Sequence, residues 1–452
     1  MNRKENFISR TALGLVVAAT GVGAGDLLTA SLAGSIVGPS VLWAAWVGAL
    51  LKFVLNEGIA RWQMATGKSI LEGWLFYLPP FFPWLFFVYF LLWSFYVGGA
   101  LINACGVAGV GFLSLGHPGH ARFIWGILHS LAGLIIVLRG GFEVFQRLMA
   151  YLIATMVMTV FISLILIQPD WVKLIKGIIW PTFLPSQTSW SIAVMGGIGG
   201  TVTIICYNYW VEEKKRRGWE GLRACRFDLS LGYTLTAFFG LAMIIIGSKI
   251  TVRGRGDEVA LQLAEKLGEL LGPAGKWLFL TGFWSAVFSS LLGVWQGVPY
   301  IFTDFLRLNR QKKEVKERAK AEIRRNDDQV VVQELSLNRV KNNQNLIRSN
   351  SAKTKPDLTR TLSYRLYLVG ISFLPLFSLF FTVQKIQLIY AFLGALFMPF
   401  LALTLLILNN QKTRLLGSFR NSWLSNLLLL INFLFFSYVG WQEIKKLLLS
   451  LF

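Results

Sequence analysis

The sequence predicts an all-α integral membrane protein of about eleven transmembrane helices, and three observations carry that prediction. Of 452 residues, 54% are hydrophobic and only 15% charged, where a soluble protein carries about 25% charged residues. The mean hydropathy of +0.56 exceeds what a water-soluble domain hides in its own core. Apolar runs of about 20 residues, the length that crosses a hydrocarbon core of about 30 Å, recur along the whole chain.

In order, the runs lie at roughly 11–37, 41–61, 80–104, 122–139, 147–168, 190–211, 228–249, 276–304, 364–384, 386–409 and 422–441. The first follows Asn2-Arg3-Lys4-Glu5 and holds Asp26 inside it, so it reads as a span and not as a cleavable signal. The second ends on Glu57 and Arg61, spaced to pair on one helix face. The third, from Phe81 to Cys105, contains no acid. Bases from Arg139 to Arg147 part the fourth from the fifth, and Lys214-Lys215-Arg216-Arg217 closes the sixth. The eighth carries Ser289, Ser290 and Gln296, and ends on Asp304, which is expected to be solvated. Helices 1–8 thus occupy 1–304, a basic linker 305–363, and helices 9–11 the remaining 364–452.

Charge sets the orientation. The chain holds 44 Lys and Arg against 23 Asp and Glu, a net +21; in a membrane protein such an excess marks cytoplasmic loops and not a nucleic-acid partner. A cytoplasmic N-terminus places Arg61 to Lys68, Arg139 to Arg147, the 214–217 cluster, 305–363 and Lys412 to Arg420 all inside. An odd number of spans then leaves the C-terminus outside, in a multi-pass protein of the plasma or inner membrane. The linker alone has fifteen bases and seven acids, +8 of the total. Arg310 to Arg325 can extend the eighth span as a charged helix, whereas the Asn- and Ser-rich 338–355 is too polar to fold alone. The linker is expected to be largely disordered and to attract anionic headgroups of the bilayer. Three cysteines (Cys105, Cys206, Cys225) and three histidines (His117, His120, His129) are too few for a disulfide framework or a zinc scaffold. With no nucleophile–base pair either, no enzyme and no resident cofactor are expected.

Function should therefore rest on residues that a lipid-facing helix excludes. The run Thr20-Gly21-Val22-Gly23-Ala24-Gly25-Asp26 sits midway along span 1. Each glycine weakens a helix by about 1 kcal/mol, and a carboxylate at that depth costs about 3 kcal/mol unless it meets a partner or water. A broken helix with a carboxylate at the break makes a cation site, because unwound carbonyls coordinate while the carboxylate neutralises. The alternative is glycine-mediated packing, with Asp26 in an internal ion pair. A second run, Met195-Gly196-Gly197-Ile198-Gly199-Gly200-Thr201-Val202-Thr203, interrupts span 6 ahead of Cys206. Interruptions five helices apart are the pattern of two inverted five-helix repeats; a small-residue packing seam is the structural alternative. In span 2, Lys52 lies near mid-membrane and shares a face with Asn56, too deep to snorkel. Lys52, Asn56 and Glu57 are candidates for charge pairing or coupling. The loop pair His117 and His120 has no nearby carboxylate or thiol and reads as exposed.

With these residues in view, the chain resembles the natural resistance-associated macrophage protein family of proton-coupled divalent metal transporters. Gly23-Ala24-Gly25-Asp26 followed by Ala65-Thr66-Gly67-Lys68 is similar to that family's Asp-Pro-Gly-Asn motif and the end of its second span. Gly196 to Asn208 is similar to its span 6 around a Met-Pro-His motif, and Ser289 through Phe305 to its span 8. The resemblance implies a LeuT-type five-plus-five inverted repeat with discontinuous helices 1 and 6. It also marks departures: the family's metal-binding Asp falls on Gly23 and its Asn on Asp26, and Met-Pro-His falls at about Ile204-Ile205-Cys206. The acid expected in span 3 is absent, and the amide expected in span 10 falls near Ala391 or Phe392.

The leading expectation is a secondary transporter that moves a divalent metal ion or small cation past Gly23, Ala24, Asp26, Thr201, Thr203 and Cys206, with Asp26 and Cys206 as candidate metal ligands. Loss of the thioether favours a harder cation held by oxygen and retained water, and Cys206 reads as a neutral buried thiol. Two alternatives stand beside it. One is an organic-solute or amino-acid transporter on the same scaffold; the other is a non-transporting membrane scaffold or sensor, in which Lys52 neutralises Asp26.

Overall fold

The computed structural model describes residues 7–181, 185–250, 258–327, 357–412 and 416–451. Among them every regular element is a helix. The first apolar run folds as two half-helices, α1 (Phe7–Gly21) and α2 (Ala24–Val37), parted at Val22-Gly23. After a short turn come α3 (Leu42–Thr66), α4 (Ile70–Tyr77), α5 (Phe81–Phe112) and α6 (Pro118–Ile167). α6 bends at Gly141, whose φ of 64° and ψ of 175° lie outside helical space and are open to glycine alone at low cost.

Next is the amphipathic α7 (Trp171–Ile179), started by the Asp170 side chain, which accepts from Lys173 N at 3.3 Å. Its Leu174 and Gly177 face inward, while Trp171, Val172, Ile175 and Ile179 are exposed, the pattern of a helix lying in the membrane interface. The sixth run is again two pieces, α8 (Pro185–Gly197) and α9 (Cys206–Glu213), separated by eight residues that include one tight turn, Val202–Ile205. α10 (Gly218–Ser248), α11 (Glu258–Leu271), α12 (Pro273–Asp327), α13 (Leu362–Phe373), α14 (Val383–Leu408) and α15 (Trp423–Leu451) complete the order.

Nine helical stretches among the described residues are long and apolar enough to cross a membrane. That is fewer than the sequence predicts, for two reasons. Leu27–Thr66 carries the end of the first run directly into the second, and Gly119–Ile167 joins the fourth and fifth across the Gly141 bend. α12 continues the eighth run as a charged helix to Asp327, as its sequence allows; the remainder of the linker expected to be disordered, 328–356, lies outside the described residues.

Glycines let α10 press against both halves of the first helix. A Cβ on Gly14 would lie 2.5 Å from the Asp228 carbonyl oxygen, one on Gly34 would collide with the Ile244 carbonyl, and one on Gly247 with the Ser31 carbonyl. Backbone approach of this kind replaces the missing hydrophobic drive between helices in lipid. Ion pairs close the end that bears the basic loops. Arg216 holds the fully buried Asp228, and Glu57 receives both Arg61 and Arg226 at 2.8 Å. Asp304, expected in solvent, is instead 2% exposed. It pairs with Arg307 at 2.6 Å and accepts from Ser69 and Tyr209, both at 3.1 Å. The sequence offered no sign of this burial because Ser69 and Tyr209 arrive from distant segments. Removing one partner of such a pair leaves a stranded charge, at a cost of about 3–5 kcal/mol.

Candidate functional site

Both helix breaks open onto one cavity. Thr20, Gly21, Gly23 and Gly25 line it from the first break, and Gly200 and Thr203 from the second. Val97, Ala100 and Leu101 of α5, Ser290 and Val294 of α12, and Gln387 and Tyr390 of α14 close the remaining sides. Its volume, about 20 Å³ open to water centres, is the room of one or two waters. The polar side chains among these residues, Thr20, Thr203, Ser290, Gln387 and Tyr390, each offer an oxygen.

The first break is held by hydroxyls. Ser290 Oγ donates to the Val22 carbonyl at 2.6 Å, and Ser289 Oγ to the Ala19 carbonyl at 2.9 Å. These serines satisfy carbonyls that the interrupted helix leaves without a partner. Thr20 is buried against Gly293 of α12, and its Oγ1 has no hydrogen-bond partner among the described residues.

The second break depends on glycine conformation. Gly199 and Gly200 have φ of 93° and 76°, the left-handed region that other residues enter at a cost of about 1–2 kcal/mol. Thr201 follows at φ −126°, ψ −107°, and its Oγ1 accepts from Trp93 Nε1 at 3.1 Å. Lys52 reaches this break from α3. Fully buried, it donates from Nζ to the Gly200 carbonyl at 2.6 Å and to the Gly196 carbonyl at 3.3 Å, and it lies 5.4 Å from the Phe436 ring centre.

The residues singled out from sequence are therefore dispersed. Gly23 and Thr203 line the cavity. Ala24 opens α2, but its side chain and that of Asp26 lie outside the described residues. Thr201 is engaged by Trp93. Cys206 packs its thiol against α12, where a Cβ on Gly297 would lie 2.6 Å from Sγ. Asn56 donates to the Tyr233 hydroxyl at 3.3 Å, and Glu57 belongs to the arginine cluster. The span 10 amide expected near Ala391 or Phe392 has its counterpart one turn earlier, where Gln387 faces the cavity and its Nε2 lies 3.5 Å from the Ala100 carbonyl. Thr382, Gln384 and Lys385 just ahead of it made Gln387 read as part of the polar edge of the span. Trp93 and Tyr390 were also invisible to sequence reasoning, since aromatic residues are the norm in these spans. His117 and His120 lie near each other with rings tilted, centres 5.8 Å apart. Among the described residues no three His, Cys, Asp or Glu side chains gather as a metal would require.

Residues 14–323 match the model of the family described as natural resistance-associated macrophage protein-like. A metal transporter nramp1 homolog of Dictyostelium discoideum is 22% identical over 299 residues, 63% of this chain and 54% of that protein; the match thus spans about half of the relative's length. Crystal structures of a manganese transporter from Eremococcus coleocola share the fold. One superposes with a TM-score of 0.66 at 16% identity, covering 99% of this chain and 90% of that one. Another, in complex with an aromatic bis-isothiourea substituted compound, gives 0.65 at 16% identity over 98% and 89%.

Proposed function

Because the chain belongs to the natural resistance-associated macrophage protein-like family, a family of transporters, we propose that it carries a divalent metal ion across the membrane through the cavity where its helix breaks meet. The observation that carries this reading is the convergence of both interruptions on one small, oxygen-lined space. The relatives named above are a metal transporter and a manganese transporter, and that cargo class is extended here to this chain.

The chemistry follows from the donors. Backbone carbonyls at the first break and the oxygens of Thr20, Thr203, Ser290, Gln387 and Tyr390 are hard ligands. In sequence, Asp26 adds the one carboxylate of this run and supplies the charge that a divalent ion demands. With the Cys206 thiol turned to α12, the site favours a hard cation that keeps part of its water over a soft transition metal. A space of about 20 Å³ suits an ion with a water.

Purified protein in proteoliposomes with an entrapped metal-sensitive dye tests this. Manganese, magnesium and calcium are offered in turn; at least one is expected to enter, and Asp26→Ala to reduce its entry to that of empty liposomes. Uptake that survives Asp26→Ala would remove Asp26 from the site. Folded protein that carries none of the three ions would overturn the function.

A further inference from the structure

We propose that the second helix break is a monovalent-cation site whose occupant is built into the chain: the Lys52 ammonium takes the place of a bound ion. Three observations independent of the transported cargo support this. Two carbonyls that no helix satisfies point at one atom, Gly200 at 2.6 Å and Gly196 at 3.3 Å from Nζ. Gly196 belongs to the last turn of α8 (Pro185–Gly197), where carbonyl dipoles sum to a partial negative charge that attracts a cation. The left-handed φ of 93° and 76° at Gly199 and Gly200 turns the chain so that the Gly200 carbonyl joins that of Gly196.

The surroundings fit a cation and little else. Lys52 has no solvent exposure, and Phe436 presents its ring 5.4 Å away, within the range of a cation–π contact. Gly199 lets the lysine stem pass: a Cβ there would lie 3.3 Å from Lys52 Cγ. Carbonyl dipoles, a helix C-terminus and an aromatic ring are together how a sodium- or ammonium-sized ion is held without water. Gly200 also lines the cavity, so the tethered charge sits on a carbonyl of the cavity wall. It holds the second break in shape without drawing an ion from solution, and it directs a divalent cargo toward the first break.

The test removes the tether and offers a free ion. Full-length protein in detergent is unfolded by heat in sodium, potassium, methylammonium or choline chloride at equal ionic strength, as wild type and as Lys52→Ala. Wild type is expected to unfold at one temperature in all four salts. Lys52→Ala should unfold lower in choline, by on the order of 5 °C, and recover at least part of that in methylammonium or sodium, saturably. A variant lowered equally in every salt, or not lowered at all, overturns the proposal, as does a wild type that sodium stabilises over choline. If Lys52→Ala does not fold, Lys52→Gln carries the same comparison with the same outcomes. Because the readout is stability, failure of the divalent-transport reading leaves this result interpretable, and the converse also holds.

Discussion

At the first break the stranded Val22 carbonyl is capped by a neutral hydroxyl, Ser290, at 2.6 Å; at the second the Gly200 carbonyl is capped by an ammonium, Lys52, at the same 2.6 Å. The two glycine runs look interchangeable in sequence, and their chemistry is not. A hydroxyl gives up its hydrogen bond for the net cost of one neutral contact, about 1 kcal/mol, and the carbonyl is then available to a cargo. An ammonium buried against two carbonyls is far harder to displace. Glycine thus creates two openings, and the neighbouring side chain decides which of them exchanges ligands.

The difference can be broken at three points beyond the Lys52 and Asp26 experiments. The largest loss is expected for Gly200→Ala. It combines a φ of 76° with a Cβ 2.6 Å from Thr203 Oγ1, roughly 2–4 kcal/mol of destabilisation, measured as a fall in thermal midpoint. Ser290→Ala comes next. It leaves the Val22 carbonyl without its shortest donor and should cost about 1–2 kcal/mol, while raising the apparent KM for metal uptake because the cavity loses the Ser290 oxygen from its lining. Gly23→Ala should be smallest, within about 0.5 kcal/mol, since among the described residues the new methyl meets Ser290 alone, no nearer than 3.6 Å; its effect should show in uptake and hardly in stability. A Gly23→Ala protein as unstable as Gly200→Ala would erase the distinction between the breaks.

Local rules revealed the breaks and not their partners. Three glycines just ahead of a carboxylate, or four within five residues (Gly196 to Gly200), violate helix propensity wherever the chain folds, so Gly23 and Gly200 were visible from composition alone. Lys52 was visible for the same reason, as a charge at a depth that lipid does not tolerate. Its attachment to Gly196 and Gly200 depends on contacts 144 and 148 residues away in sequence, and no periodicity encodes those. Gln387 was missed because Gln384 and Lys385 beside it mark the polar start of α14, and nothing local sets it apart from them. Asp304 was placed in water because it ends an apolar run, whereas Arg307, Ser69 and Tyr209 enclose it. The family match agrees with the scaffold that the glycine runs predicted, and most of the cavity's polar lining came from tertiary contacts.

The glycine contacts along α10 also have a mechanical consequence. Gly14 bears on the Asp228 backbone, Gly34 on Ile244 and Gly247 on Ser31, so α1 and α2 meet the same rod at points above and below their own interruption. Main chain seated on main chain has no side-chain layer to act as a bearing, and sliding one past the other meets hard atoms within a fraction of an ångström. The two half-helices are thus splinted to one rod on either side of the break at Val22-Gly23.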